Sequence, residues 1–359
     1  MSTISLAMIV KNEEKTLARC LNSIKDAVDE IIIVDTGSTD STKQIAKKFT
    51  NNVYDFEWVN DFSKARNYAF SLATSDYIMW LDADDVVPKT TLEKIKILKT
   101  ILAPQKIDMV FMLYATSFNL SNEPTFKFYR ERIVKNHSGY IWQDPVHEAI
   151  TPSGNIFYLN HYIEHRKDTI KKYSNRNLKI YQDLISKNAV LSPRQQFYYA
   201  RELMYNNKIS ASIKVFEKYL KNDSLWLENR INAHIDLYNC YLIKNNIKKA
   251  RNTLIKTLEF ATPRAEIMCK IADTFLMKND IDTAIFWYKL ALNDEPNIRS
   301  GGFFQMEYYN IYPLLNLCVS YHKKGDDNLA KEYNDKAGKV DPKNESYLKN
   351  KKFFSRLKK

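Results

Sequence analysis

The chain is 359 residues long, 45% hydrophobic and 27% charged, with a formal net charge of +12. That is the balance of a soluble globular protein, and the length exceeds one typical domain, so two are expected. No apolar run is long enough to span a membrane, and Met1–Val10 lacks a basic region followed by an apolar stretch, so neither a membrane span nor a signal peptide is expected.

Cys20, Cys240, Cys269 and Cys318 show no CxxC spacing. They read as buried thiols in a reducing, cytoplasmic setting, not as disulfides or a zinc site. Charge is uneven. Residues 1–168 carry 20 Lys+Arg against 22 Asp+Glu, a balance of −2, and residues 169–359 carry 34 against 20, a balance of +14. A basic half can meet an acidic partner, an anionic membrane surface or nucleic acid. Its lysines are spread singly along helices, the pattern of a solvated face. RNP, KH and zinc-finger spacings are missing from the sequence, so no nucleic-acid partner is expected.

In chain order, Ile4–Val10 is a continuous apolar, central strand. Residues 16–27 place Leu17, Cys20, Leu21 and Ile24 on one helical face. Glu30–Asp35 is a second buried strand that runs into Asp35-Thr-Gly-Ser-Thr-Asp40, a turn with hydroxyls suited to capping the helix over 41–49. A third strand over 52–56 and a helix over 61–72 carrying Arg66 and Asn67 follow. Tyr77-Ile-Met-Trp-Leu81 is a fourth strand, which ends in Asp82, Asp84 and Asp85. Alternating β and α units predict a parallel sheet with helices on both faces.

Glu13, Asp35, Asp40 and Asp82–Asp85 follow three of these strands, so they share one edge of the sheet, where open α/β sheets bind ligands. Like charges crowded there need a cation, and Mg²⁺ takes one or two carboxylates plus substrate phosphate oxygens. The functional reading is a divalent ion held by Asp82 and Asp84 against a diphosphate. The plainer one is a polar turn in which Asp84 or Asp85 caps the helix near Pro88. No GxGxxG or Walker A loop is present.

After a helix over 89–102, residues 108–118 and 126–135 read as antiparallel additions to the sheet. Four of the six histidines, His137, His147, His161 and His165, lie close to Asp144 and Glu148, which points to at least one functional histidine. The remainder is helical and repeats: Ala250, Ala284 and Ala330 hold matching places, each nine residues after an aromatic (Tyr241, Phe275, Tyr321). The first interval is the tetratricopeptide period, and the second is lengthened by an insertion near Arg299–Tyr309. Residues 197–222 read as a degenerate first repeat. Phe303, Phe304, Tyr308 and Tyr309 in the insertion are expected to form a mobile aromatic clamp for a peptide, with padding of the domain interface as the alternative.

Several motifs together carry a family resemblance. They are Met8-Ile-Val-Lys-Asn-Glu13, Val34-Asp-Thr-Gly-Ser-Thr-Asp40, Ala65-Arg-Asn67, Trp80-Leu-Asp-Ala-Asp-Asp85, Val146-His-Glu148 and a later His followed by Arg176-Asn177. Residues 1–168 resemble the inverting family-2 glycosyltransferases of the GT-A fold. The fusion to tetratricopeptide repeats is similar to a bacterial subgroup, some of whose members glycosylate peptides or proteins, including S-glycosyltransferases acting on bacteriocins.

The resemblance implies an α/β GT-A domain with a mostly parallel sheet over 1–168, a linking helix over 169–196 and an all-α repeat solenoid over 197–359. It implies a UDP-sugar donor with Mn²⁺ or Mg²⁺. Asp35 and the backbone near Val10 would contact uracil, and Glu13, Arg66 and Asn67 would line the nucleotide pocket. Asp84 would ligate the metal, with Asp82 near ribose or metal. His165 would complete the metal site, with His161 as its competitor. Inversion needs a base within reach of the acceptor, for which Glu148 and Asp144 are both placed. The expected acceptor is a hydroxyl or thiol of a peptide or protein selected by the repeats, and a homodimer is compatible with the sequence. A cell-surface polysaccharide acceptor, or a catalytically dead repeat scaffold, is the alternative.

Overall fold

A computed structural model describes residues 1–119, 122–167 and 175–357. They form two compact units, one of residues 1–117 and 127–190, the other of residues 118–126 and 191–359. The expected boundary at residue 168 and the start of the expected linking helix, 169–174, lie outside the described residues.

The first unit runs β1 (Ile4–Val10), α1 (Leu17–Ile24), β2 (Glu30–Asp35), α2 (Thr42–Ala46), β3 (Val53–Asp55), α3 (Phe62–Ser71), β4 (Tyr77–Trp80), β5 (Asp85–Val86) and α4 (Lys89–Ile101). Then come β6 (Met109–Phe118), β7 (Pro124–Lys135), β8 (Trp142–Gln143), β9 (Ala149–Ile150), β10 (Ile156–His165) and α5 (Arg176–Ser186). Eight strands make one sheet in the order β3-β2-β1-β4-β7-β6-β10-β5, and β8 pairs with β9 separately.

β1 runs parallel to both β2 and β4, and β2 parallel to β3, which puts their carboxyl ends on one edge. β1 reads as continuous apolar sequence because both its faces are covered. Ile4, Leu6, Met8 and Val10 pack into the core that holds Leu17, Cys20, Leu21 and Ile24 of α1. Ala7 packs on the opposite side with Ile32, Val34, Trp80 and Ala69 of α3. Asp61 caps α3, its side chain accepting from the Lys64 amide at 3.1 Å.

The expectation of antiparallel additions holds for β7, which runs antiparallel to β4. β6 lies beside β7 in the sheet and on its other side pairs in parallel with β10, a strand that returns to the sheet after the β8–β9 excursion. The β10 register shifts between Leu159 and Tyr162, so His161 falls in an irregularity and His165 resumes regular pairing opposite Asp85.

The second unit is a run of helix pairs: α6 (Pro193–Tyr205) with α7 (Ile209–Tyr219), α8 (Leu227–Ile243) with α9 (Ile247–Ile255), α10 (Ala265–Leu276) with α11 (Ile281–Ala291), and α12 (Ile311–Lys323) with α13 (Asp327–Val340), followed by α14 (Glu345–Leu357). Each pair turns on one residue with positive φ, Asn207, Asn245, Asn279 or Gly325, the residue types that tolerate left-handed backbone. In the last three pairs the next residue, Asn246, Asp280 or Asp326, caps the second helix. Ala250, Ala284 and Ala330 are fully buried where the paired helices meet. Ser212 takes that place in the first repeat, and its hydroxyl donates to the Ala200 carbonyl at 2.8 Å, which keeps the buried polar group satisfied.

The insertion is not a free clamp. Phe304, Tyr308 and Tyr309 are buried within the repeat core. Two of them have fixed polar partners on α10: Tyr309 Oη donates to Glu266 Oε2 at 2.8 Å, and Lys270 Nζ donates to Tyr308 Oη at 2.9 Å. The Gln305 amide also donates to Glu266, at 2.8 Å. Phe303, half-buried, lies 6.3 Å from Phe126 between ring centroids. Aromatic rings with their hydroxyls satisfied gain more from burial than from display.

Candidate active site

The carboxyl edge of β1, β2 and β4 opens into a cavity of about 530 Å³ in the first unit. Its walls include Val10 and Glu13 after β1, Arg66 from α3, Asp82 and Asp84 after β4, Glu148, and His165 at the end of β10. Seven expected residues, distant in sequence, thus meet around one space. Lys11, Trp58, Phe62, Arg130, His147, Arg176 and Asn177 complete much of the rest.

Arg66 sits between the two acidic sides. Its Nη2 donates to Asp82 Oδ1 at 2.7 Å and its Nε to Glu148 Oε1 at 2.6 Å. The guanidinium is also held over Trp80 and Trp142, 4.9 and 4.8 Å from the ring centroids. Burial alone would lower its pKa, but Asp82 and Glu148 outweigh that and raise it, so Arg66 stays a fixed cation. Burial likewise favours the neutral form of Asp82, yet the charges of Arg66 and Arg132 hold its carboxyl well below the usual carboxylate range.

The three aspartates divide the work. Asp82 and Asp84 face the cavity. Asp85 is fully buried and builds the turn: its Oδ2 accepts from the Asp82 amide at 3.0 Å and from Arg132 Nη1 at 3.1 Å. Tyr114 Oη donates to its Oδ1 at 2.8 Å and lies 2.6 Å from His165 Nδ1. His165 Nδ1 is also 3.3 Å from Asp84 Oδ1 and 3.2 Å from Asp85 Oδ1. Burial pulls the His165 pKa down, and these two carboxylates reverse that and push it up to about 9. Asp82, Asp85 and His165 each offer a ligand atom close enough to share a metal ion.

His161 is placed apart from the cavity walls, its Nδ1 buried without a hydrogen-bond partner and its pKa lowered by burial and by Lys94. Three further expected residues are also not among the walls. Asn67 exchanges two hydrogen bonds with the backbone of Trp142, at 3.0 and 2.8 Å, and so positions the ring that covers Arg66. Asp144 occupies a left-handed turn with φ of 71°. Asp35 lies behind Thr36, buried, with Oδ1 accepting from the Gly37 and Ser38 amides at 3.0 and 2.8 Å and Oδ2 left without a partner.

Arg132 and Tyr114 escape the sequence reading. Arg132 is fully buried in β7, 3.8 Å from the Trp80 ring centroid and 4.3 Å from that of Tyr114. A signal existed: three acids at a strand end require a counter-charge, and Arg130 and Arg132 alternate through a strand expected to join that sheet.

Residues 5–146 match the family model Glycosyl transferase family 2, so the first unit holds a family-2 glycosyltransferase domain, joined here to a helical repeat region. Among relatives, the SPbeta prophage-derived glycosyltransferase SunS of Bacillus subtilis is 31% identical over 255 residues, 68% of this chain and 60% of SunS. A TPR repeat-containing protein of Synechococcus elongatus is 37% identical over 153 residues, 43% of this chain and 36% of that protein. The chain thus spans less than two thirds of the length of either relative. Among solved structures, S. aureus TarS residues 1–349 overlap at 15% identity and a TM-score of 0.35, covering 81% of this chain and 92% of that one, a likeness too loose to carry an argument.

Proposed function

We propose that the protein is a metal-dependent, inverting glycosyltransferase that moves a sugar from a UDP-sugar to a hydroxyl or thiol of a peptide or protein acceptor. The observation that carries this reading is the convergence of Asp82, Asp84 and His165 with Arg66 and Glu148 on one cavity. The donors are of the kind Mg²⁺ or Mn²⁺ takes: Asp82, Asp85 and His165 offer ligand atoms within reach of one another, and Asp84, 3.3 Å from His165 Nδ1, faces the same cavity, while Asp85 is also engaged by Arg132 and Tyr114. When bound, such an ion supplies charge neutralisation for the departing diphosphate.

The chain's own residues do the rest. Asp35 has one carboxylate oxygen fixed by two amides and the other buried without a partner. That acceptor suits an N–H donor such as the imide of uracil, and burial makes leaving it unmatched costly. Val10 and Glu13 shape the nucleotide side of the cavity. Arg66, held by two carboxylates and two indole faces, keeps positive charge fixed beside the phosphates. Glu148 takes the acceptor proton in this reading, supported over Asp144 by its presence in the cavity wall and by Arg66, which fixes its orientation.

The likeness to the glycosyltransferase SunS supports sugar transfer, and the stacked helix pairs, which offer more surface than a monosaccharide needs, support a peptide or protein acceptor. The four buried, unpaired cysteines suit a cytoplasmic setting. Among the described residues no helix is long and apolar enough to cross a membrane. The test is turnover of UDP-sugars with Mn²⁺ present and with EDTA. Release of UDP that needs the metal is expected. No release from any UDP-sugar would overturn the enzyme reading and leave a nucleotide-binding scaffold.

A further inference from the structure

The repeat unit presents two contrasting faces on α8. Glu228, Asn232 and Asp236 lie along one side of the helix and Arg230, His234, Leu237 and Tyr241 along the other, as 3.6 residues per turn requires. The acidic side is already in use. Glu228 pairs with Arg264, and a Cβ at Gly302 would overlap its carboxylate, so the insertion lies directly on it. On α10, Glu266 holds the backbone of Gln305 and the hydroxyl of Tyr309. The chain thus covers the carboxylates of α8 and α10 with a segment of its own.

The opposite side is open. It forms a groove of about 750 Å³ walled by α7 and α9, with Arg230, His234 and Leu237 of α8 at its floor. Lys214 and Lys218 of α7, one helical turn apart, and Lys221 just past its end line one wall, and Lys249 and Lys256 line the other. Arg230 is paired with Asp223 at 2.9 Å, so the five lysines stand against Glu217 and Glu259, a balance of +3. The lysines look scattered in the sequence; stacking of the helix pairs gathers them. All five are exposed, and among the described residues none is in an ion pair. Elsewhere in this unit exposed lysines do find carboxylates, as Lys336 does with Glu332 at 2.7 Å and Lys349 with Glu345 at 3.7 Å.

The floor is built to meet a ligand that is not purely ionic. Arg230 stacks on Phe260, 4.0 Å from the ring centroid, and its Nε is buried without a partner. His234 Nδ1 lies 2.9 Å from Thr253 Oγ1. Leu237, Tyr241 and Phe260 add apolar surface. Lysines four residues apart on a helix stand about 6 Å apart along its axis. Alternate side chains of an extended peptide stand about 7 Å apart on one face. The two spacings match.

We propose that this groove binds an extended acidic peptide segment of a protein partner, with alternate carboxylates on the α7 lysines and its apolar side chains over Phe260 and Leu237. The two wall glutamates and the apolar floor favour such a peptide over a continuous phosphate backbone, which would meet repulsion at Glu217 and Glu259.

The test uses the full chain and a fluorescein-labelled peptide of alternating Glu and Ser residues with two Leu substitutions, followed by fluorescence anisotropy at several salt concentrations. The expected result is binding that weakens with salt and falls about tenfold or more in the triple variant Lys214→Glu, Lys218→Glu, Lys249→Glu. A second triple variant, Lys339→Glu, Lys343→Glu, Lys352→Glu, makes the same charge change at exposed sites outside the groove and should bind as the parent does. No binding by the parent protein, equal loss in both variants, or tighter binding of inorganic polyphosphate or a single-stranded oligonucleotide of equal charge would each overturn the proposal. The measurement involves no sugar transfer, so its outcome is independent of the enzyme reading.

Discussion

His165 faces Asp85 across the antiparallel pairing of β10 with β5, and Tyr114 from β6 closes the triangle with its hydroxyl 2.6 Å from the imidazole and 2.8 Å from the carboxylate. The Nδ1 side of the histidine is therefore fixed by two groups that do not line the cavity and by Asp84, 3.3 Å away, which does. Outer partners of this kind fix the tautomer and ring orientation of a ligating imidazole.

Asp84→Ala is expected to abolish transfer, and EDTA to do the same to the parent protein with recovery on adding Mn²⁺ or Mg²⁺. Tyr114→Phe should keep the fold and weaken Mn²⁺ affinity by about 10–100-fold. His165→Ala should weaken it, and His161→Ala, outside the cavity walls, should not. Titration calorimetry with Mn²⁺ and UDP checks all four variants; full activity in EDTA would refute the metal reading.

The Asp85–Arg132 pair is fully buried on both sides. Arg132→Leu leaves the carboxylate without its counter-charge and should cost about 3–5 kcal/mol of stability. Asp85→Asn with Arg132→Leu together should cost less than the sum of the single changes, because contacting residues are not additive. Urea denaturation of the three variants gives the coupling directly.

Glu148→Gln is expected to lower transfer to a hydroxyl acceptor by about 10²–10⁴-fold with UDP affinity nearly unchanged. Asp144→Asn, a residue not among the cavity walls, should have a much smaller effect. The loss at Glu148 should be milder with a thiol acceptor, since a thiol is partly ionised near neutral pH. If both variants keep full turnover, His147 in the cavity wall becomes the residue to replace.

His234 sets a pH dependence in the repeats. Burial, with Arg230 and Lys256 nearby, depresses its pKa to about 4. Its folded pKa therefore lies below the unfolded value near 6.5, so the unfolded chain binds the extra proton between these values. Stability is fully present above about pH 6.5 and falls as pH drops toward 4, by up to about 3 kcal/mol. Thermal melts across this window should show a shallower slope for His234→Gln, and an unchanged slope would contradict the assignment.

Much of the first unit was legible because parallel strands covered on both faces must be continuously apolar, as in β1, β2 and β4, and because ligand groups collect at their carboxyl ends. The repeats were legible through Ala250, Ala284 and Ala330, positions where only a small residue lets paired helices touch. Tyr114 was not, and Arg132 only through the alternation of Arg130 and Arg132, because their role depends on the long-range sheet order that brings β7 and β6 toward β4. The insertion aromatics were misread for a related reason: composition shows four rings in a break of the repeat, but only the fold shows Glu266 and Lys270 waiting for two of their hydroxyls. Asn67 sits in a motif that names a neighbourhood, and its side chain settles on the Trp142 backbone instead of the cavity wall.

Arg66 is one cation shared by two acids, so the two ends of the cavity are wired to each other without any movement of the backbone. Whatever draws charge away from Asp82 loosens its claim on the guanidinium and tightens the pairing with Glu148; protonating Glu148 does the reverse. If the proposed roles hold, the donor and acceptor sides would be coupled through this one side chain, and a substitution at either acid is expected to be read out at both.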